Sequence, residues 1–322
     1  TTTARRKTRR RHHVELVMDS DQIACFGECM VELSRAGSTD DWRMGYAGDT
    51  ANVAIYCARA GARVSYLTAV GSDPFSGNLR AFLASEGVAD DLILTDPAHG
   101  PGLYAITTDS SGERSFTYWR DNSAARNLFA LPGIDNALDR AARAGLLYLS
   151  GITLSLYGQP ERQRIVALTA AVRAQGGEVA FDGNYRERGW RDPAAARAAF
   201  AALAGQITIA MPTFEDEAAL FGDTRAETSL ERWHGWGAGI VVLKMGERGA
   251  IVSYPGGITP VPSETPRSAR DTTGAGDSFN AAFLCALREG ANPVEAAFAG
   301  NRLAAEVIMH PGAIIPRGAM AA

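Results

Sequence analysis

Asp271-Thr272-Thr273-Gly274-Ala275-Gly276-Asp277-Ser278-Phe279 is the most informative stretch of the 322-residue chain. Beyond it, Phe279, Phe283, Ala286 and Leu287 recur at i, i+4, i+7 and i+8, one face of a helix that ends near Gly290. The glycine-rich turn therefore opens a helix. Small residues let backbone N–H groups approach an anion there, and the helix dipole favours negative charge. Asp277 falls in the first turn. A single Asp at that place is equally explained as a cap or dipole complement, but nine residues in this order are more specific. No Gly-Lys-Ser/Thr follows, so the run is not a Walker loop, and Phe279 stands where a dinucleotide fingerprint needs its third glycine.

Working outward, apolar β-rich runs alternate with helical patterns. Strands are expected at Ile23–Gly27, Val64–Val70, Leu146–Ser150, Glu178–Asp182, Ile207–Met211 and Ile240–Lys244. Helices are expected at Ala51–Ala60, Pro74–Ser85, Pro160–Ala174, Pro193–Leu203, Phe214–Phe221 and Leu230–Trp236. Strands apolar throughout, separated by helices, imply an α/β fold with a mainly parallel sheet covered on both faces. One region departs from this. Gly102–Asp109 and Gly112–Arg120 read as a hairpin around Asp109-Ser110-Ser111-Gly112, with Phe116, Tyr118 and Arg120 on one face. With further strands over about 29–47, it reads as a small β-sheet lid. The hairpin register decides whether Tyr104 joins Tyr118, since a two- or four-residue turn pairs residue 104 with 117.

Composition bounds the rest. Six of the 32 Lys/Arg lie in residues 1–13 and none of the 36 Asp/Glu, leaving 26 basic against 36 acidic side chains in the body, a formal −10. A body that acidic is a poor nucleic-acid partner. Residues 1–21 read as a disordered basic extension foreign to the folded body, with Met18 as the expected start, and residues 22–322 as the folded domain. Cys25, Cys29, Cys57 and Cys285 lack a second pair at zinc spacing and read as buried thiols of a reducing, cytoplasmic compartment. No apolar run approaches the ~18 residues of a membrane span.

The Asp271–Phe279 motif resembles the C-terminal signature of the ribokinase (phosphofructokinase-B type) family of carbohydrate kinases. Gly45-Tyr46-Ala47-Gly48-Asp49-Thr50-Ala51-Asn52 resembles its N-terminal glycine motif. The resemblance implies a ribokinase-like doubly wound sheet with a β lid, ATP as phosphoryl donor and Mg²⁺ as its partner. By it, Asp277 is the general base, and the N–H groups of Gly274, Ala275, Gly276 and Asp277 form an anion hole. Gly48, Asp49 and Asn52 face the sugar hydroxyls.

Further stretches are similar to the 2-keto-3-deoxygluconate kinases of that family: Phe26–Leu33, Gly102–Tyr104, Tyr118–Arg120, Leu149–Ile152, Phe181–Arg186 and Gly312–Arg317. The similarity implies that Tyr104, Tyr118, Arg120, Ile152 and Arg186 line a sugar-acid site. An Arg fork suits a carboxylate, which a neutral sugar lacks; a strand-end charge or loop salt bridge is the other account of these arginines. For ATP, Lys244, Gly246 and Gly249 resemble the family's strand and glycine turn beside the nucleotide, Asn301 a position near adenine, and Asn184 a group within reach of phosphate. The family's Asn-x-x-Glu metal motif is Thr213-Phe214-Glu215-Asp216 here. Asp216 is the candidate to hold Mg²⁺ through water, with Glu217 its neighbour. A fructokinase-like enzyme and a non-catalytic sugar-acid sensor are the alternatives, and self-association through the lid is a further expectation.

Overall fold

The computed structural model describes residues 18–35, 41–108, 114–264 and 269–321. The turn expected at residues 109–112 and the basic residues 1–17 lie outside them. In chain order the strands are β1 (Asp19–Phe26), β2 (Met30–Arg35), β3 (Trp42–Ala47), β4 (Arg63–Val70), β5 (Val88–Ala89), β6 (Ile93–Thr95), β7 (Leu103–Thr108) and β8 (Arg114–Trp119), followed by β9 (Ala144–Ser150), β10 (Glu178–Asp182), β11 (Ile209–Ala210), β12 (Ile240–Lys244), β13 (Ala250–Tyr254) and β14 (Gly257–Val261). β1 starts at Asp19, so the boundary expected after residue 21 moves three residues upstream. The alternating, partly exposed Asp19-Ser20-Asp21 carries no apolar signal, and it is the pairing of Asp19 with Ala144 that makes it a strand.

The main sheet runs β14-β13-β12-β11-β10-β9-β1-β4-β5, with β6 also against β4. From β12 to β5 the neighbours are parallel, and β13 and β14 form an antiparallel edge hairpin that the sequence reading missed. β1 explains the double covering. Ala24 and Phe26 join the core on one face, Ile23 and Cys25 the core on the other, and all four are buried. The four cysteines are free and buried. The chain winds outward in one direction from β1 to β4 and in the other from β9 to β12. The crevice at this switch point, outside the carboxyl ends of the strands, is where open α/β sheets accept ligands.

The lid is a second, four-stranded sheet ordered β3-β2-β7-β8. Its hairpin pairs Tyr104 with Tyr118, so both rings lie on one face, 5.7 Å apart. The same alternation puts Trp42, Met44 and Trp119 on the other face, where they remain exposed.

The helix Ala275–Arg288 is fixed by its neighbour Pro293–Val307. The two meet at Gly300, where a Cβ would stand 2.7 Å from the Phe279 ring, itself buried and stacked on Phe283. A Cβ there would require this buried ring to shift. Gly300→Ala is therefore expected to destabilise the protein by about 1–3 kcal/mol through overpacking. Calorimetry checks it: an unchanged Tm would mean that the helix pair adjusts without strain.

Candidate active site

A cavity of about 780 Å³ opens at the switch point, between the main sheet and the lid. Its floor comes from strand ends and two helix starts. Asp49 and Asn52 lie on the first turn of the helix Asp49–Arg59, close enough in sequence to share a face. Gly48 precedes them because a Cβ there would stand 2.1 Å from the Glu28 carbonyl oxygen. Asn52 Nδ2 donates to Asp277 Oδ2 at 2.7 Å. Asp49 Oδ2 accepts from Ser150 Oγ at 2.5 Å and from Asn184 Nδ2 at 3.0 Å. Asn184 sits at φ 34°, a backbone conformation that Asn tolerates better than most residues. Its amide donates to Asp182 Oδ1 at 3.1 Å.

Asp277 is in the first turn of the helix Ala275–Arg288, where early N–H groups have no carbonyl one turn back. The helix opens at Gly274, φ 78°, where a Cβ would meet the Ala313 carbonyl at 2.7 Å. Asp271 ties this turn to the tail: its Oδ1 accepts from the Thr273 amide and its Oδ2 from the Gly312 amide. Tyr56 donates to the Ala313 carbonyl at 2.7 Å and fastens the same segment. Burial, then the charge of Asp49, pushes the Asp277 carboxyl up to about 7, against the opposing pull of Asn52 and Lys244. Burial likewise raises Asp49, with Ser150 opposing. The carboxyl of Asp277 can therefore take up or release a proton near neutral pH.

The lid supplies the roof. Tyr104 donates to Glu32, and Tyr118 stacks on Phe116 with ring centroids 6.3 Å apart. Arg120 Nη2 lies 2.5 Å from Glu28 Oε2, and Arg186 Nη1 lies 2.9 Å from Asp216 Oδ1. Ile152 completes the wall from the helix Gly151–Ser155, whose cap Ser150 also holds Asp49.

Of the residues singled out in the sequence, Gly48, Asp49, Asn52, Tyr104, Tyr118, Arg120, Ile152, Asn184, Arg186, Lys244, Gly274, Gly276 and Asp277 line this one cavity. Five others, Ala275, Gly246, Gly249, Asn301 and Asp216, are not in its wall. The Ala275 amide donates to the Thr272 carbonyl at 3.3 Å, within the turn that opens the helix. Gly246, Gly249 and Asn301 stand outside the cavity wall. A Cβ on Gly249 would meet the Val261 carbonyl at 2.2 Å, and Asn301 donates to the Pro262 carbonyl at 2.9 Å. Both therefore brace the segment that follows β14. Lys244 is buried beside Asp182, 2.6 Å away, and Asn280 donates to the same carboxylate at 2.6 Å. It is first a partner for a buried acid.

Asp216 is held by Arg186, and burial raises its carboxyl. Glu217 points elsewhere, accepting from Arg232 and Trp233, with burial pushing it up to about 7. Among the described residues no cluster of three His, Cys, Asp or Glu could cage a metal. Mg²⁺ bound chiefly through phosphates and water needs only one such carboxylate; Asp216, paired with Arg186 of the cavity wall, is the one that would hold it. Glu28, Asp182 and Ala313 escaped the sequence reading. Each stood inside a quoted stretch, but only the fold shows that it faces the cavity.

A floor of this kind, a helix N-terminus with a titrating carboxylate at a sheet switch point, is what group transfer from a polyanion to a hydroxyl requires. Residues 20–319 match the pfkB family of carbohydrate kinases, and the chain belongs to that family. It is 40% identical to a 2-dehydro-3-deoxygluconokinase of Dickeya dadantii over 95% of this chain and all of the relative. It is 39% identical to the enzyme of that name from Escherichia coli K12 over 94% and 100%. The structure of a Vibrio cholerae fructokinase with fructose, ADP and calcium superposes with a TM-score of 0.79 at 27% identity, covering 92% of this chain and 96% of that one. No helix among the described residues is long and apolar enough to cross a membrane.

The raised Asp277 carboxyl also bears on stability. Its ionisation costs the folded state in full above about pH 7, and the cost fades as pH falls toward the ordinary value of 3.8. Asp277→Asn removes it. At pH 8 the variant is expected to melt about 2–4 °C above the parent, with the gap closing as the buffer is acidified. A variant that melts below the parent at pH 8 would mean the carboxylate stabilises the fold.

Proposed function

We propose that this chain transfers the γ-phosphoryl group of ATP to the terminal hydroxyl of 2-keto-3-deoxy-D-gluconate, giving 2-keto-3-deoxy-6-phosphogluconate and ADP. The observation that carries the reading is a pair of guanidiniums, Arg120 and Arg186, in the same cavity as Asp277. A sugar acid needs both ends of that arrangement, with its carboxylate on the arginines and its far hydroxyl at the base. The names of the 36–40% identical relatives support it.

Asp277 receives the hydroxyl proton as the oxygen attacks the γ-phosphorus and the bond to ADP breaks. The amides at Gly274, Gly276 and Asp277 face the charge that develops on the phosphoryl oxygens. Asp49 and Asn52 orient the sugar, and Tyr104 and Tyr118 close over it, excluding water. Mg²⁺, when bound with ATP near Asp216, supplies charge neutralisation. Lys244, with Asp182, holds the floor rigid beneath the phosphates. The exposed lid face of Trp42, Met44 and Trp119 fits a second copy of the chain, and Trp119→Asp is expected to lower the mass seen in sedimentation.

The test is ADP release with Mg·ATP against 2-keto-3-deoxygluconate, fructose, ribose and gluconate. Turnover is expected on the keto acid, falling off on the acid side of about pH 7 as Asp277 protonates, and about 10²–10⁴-fold lower in Asp277→Asn. Turnover on fructose instead would make this a fructokinase-like enzyme and remove the role given to the arginines. Binding of the keto acid without turnover would make it a sensor.

A further inference from the structure

Glu28 lies in the turn between β1 and β2, where the chain leaves the main sheet for the lid. Its side chain is 1% exposed, and its Oε2 is 2.5 Å from Nη2 of Arg120, the residue that follows β8. One ion pair therefore fastens the last lid strand to the hinge of the first. The carboxylate is boxed in. A Cβ on Gly102 would fall 2.8 Å from Glu28 Oε1, 3.0 Å from Met30 Cγ and 3.1 Å from Arg120 Cβ. A carboxylate so enclosed is costly unless a cation faces it. Arg120 keeps 17% of its side chain exposed and lines the cavity, while its Nε and Nη2 and both Glu28 oxygens are buried with no hydrogen-bond partner, so the link between them is charge contact alone. Arg186 differs, being 58% exposed and paired with Asp216 on the rim.

We infer that Glu28 is a positioning residue for substrate recognition: its buried charge, in contact with Nη2, holds the Arg120 guanidinium at the cavity wall, where it meets the carboxylate of the sugar acid. Arg120 is then the fixed half of the clamp and Arg186 the half that exchanges partners. The inference rests on the proposed reading of Arg120 as the carboxylate fork.

A double-mutant cycle on the full chain tests it, with KM for 2-keto-3-deoxygluconate, kcat and KM for ATP as readouts. Arg120→Ala is expected to raise the sugar-acid KM at least about tenfold. Glu28→Ala is expected to raise it about tenfold, with kcat and the ATP KM moving far less. In the Arg120→Ala background, Glu28→Ala is expected to change that KM less than about twofold, because there is nothing left to position. Should Glu28→Ala fail to fold, the isosteric Glu28→Gln replaces it, with a smaller rise that also vanishes without Arg120. An equal factor in both backgrounds, or parallel losses in kcat and both KM values, would show a merely structural role and overturn the inference. So would a fall in KM, which would mean that Glu28 opposes the substrate's charge. If Arg120→Ala itself leaves KM unchanged, the fork reading fails first, and the two failures are told apart.

Discussion

Three carboxylates, Asp49, Asp182 and Asp277, are brought together at the floor of one cavity, and the rest of the site is arranged around the cost of holding them there. Each is assigned a partner from a different element. Ser150 and Asn184 hold Asp49, Lys244 and Asn280 hold Asp182, and Asn52 holds Asp277. The partners differ in kind. A full cation stands beside Asp182, whereas Asp277 receives only an amide, and this leaves its proton in play. Removing any one partner would leave a buried acid exposed to its neighbours' repulsion.

The fold makes this crowding possible by delivering strand ends rather than loops. β9, β10 and β12 all terminate at the same edge, so Ser150, Asp182 and Lys244 are placed by hydrogen-bonded ladders, and Glu28 follows two residues after β1 ends there. The helix that carries Asp277 is held as firmly, because Gly300 lets the next helix press onto Phe279, two residues from Asp277. The lid is less tightly tied. Its aromatic rings stack mainly on one another, and the ion pair at Glu28 joins it to the core.

Much of this was legible in the chain. Phe214–Phe221 and Glu178–Asp182 have the bounds that periodicity assigned, and the two glycine motifs met in one cavity. Illegible features were those set by distant partners. Asp19-Ser20-Asp21 is a strand only because β9 lies beside it, and the edge hairpin of β13 and β14 alternates too weakly to stand out. The intramolecular partners of Lys244 and Asn301, the Asp182 carboxylate and the Pro262 carbonyl, were likewise not legible, because a motif does not say which polar groups the fold brings beside it. Glu28 was overlooked for the converse reason. An acid after a strand looks solvated until the fold closes Gly102 and Met30 over it.

Arg186 meets Asp216 on the rim of the cavity. On the proposed reading this pair works as an ion exchanger whose counter-ion is covalently attached to the chain. A carboxylate that enters displaces no bound salt from solution; it trades places with a tethered acid. Recognition of this kind is insulated from the ionic strength around the protein, unlike an open basic patch whose attraction is screened within a Debye length. On that reading the site would discriminate an anion by shape at the salt concentration of a cell.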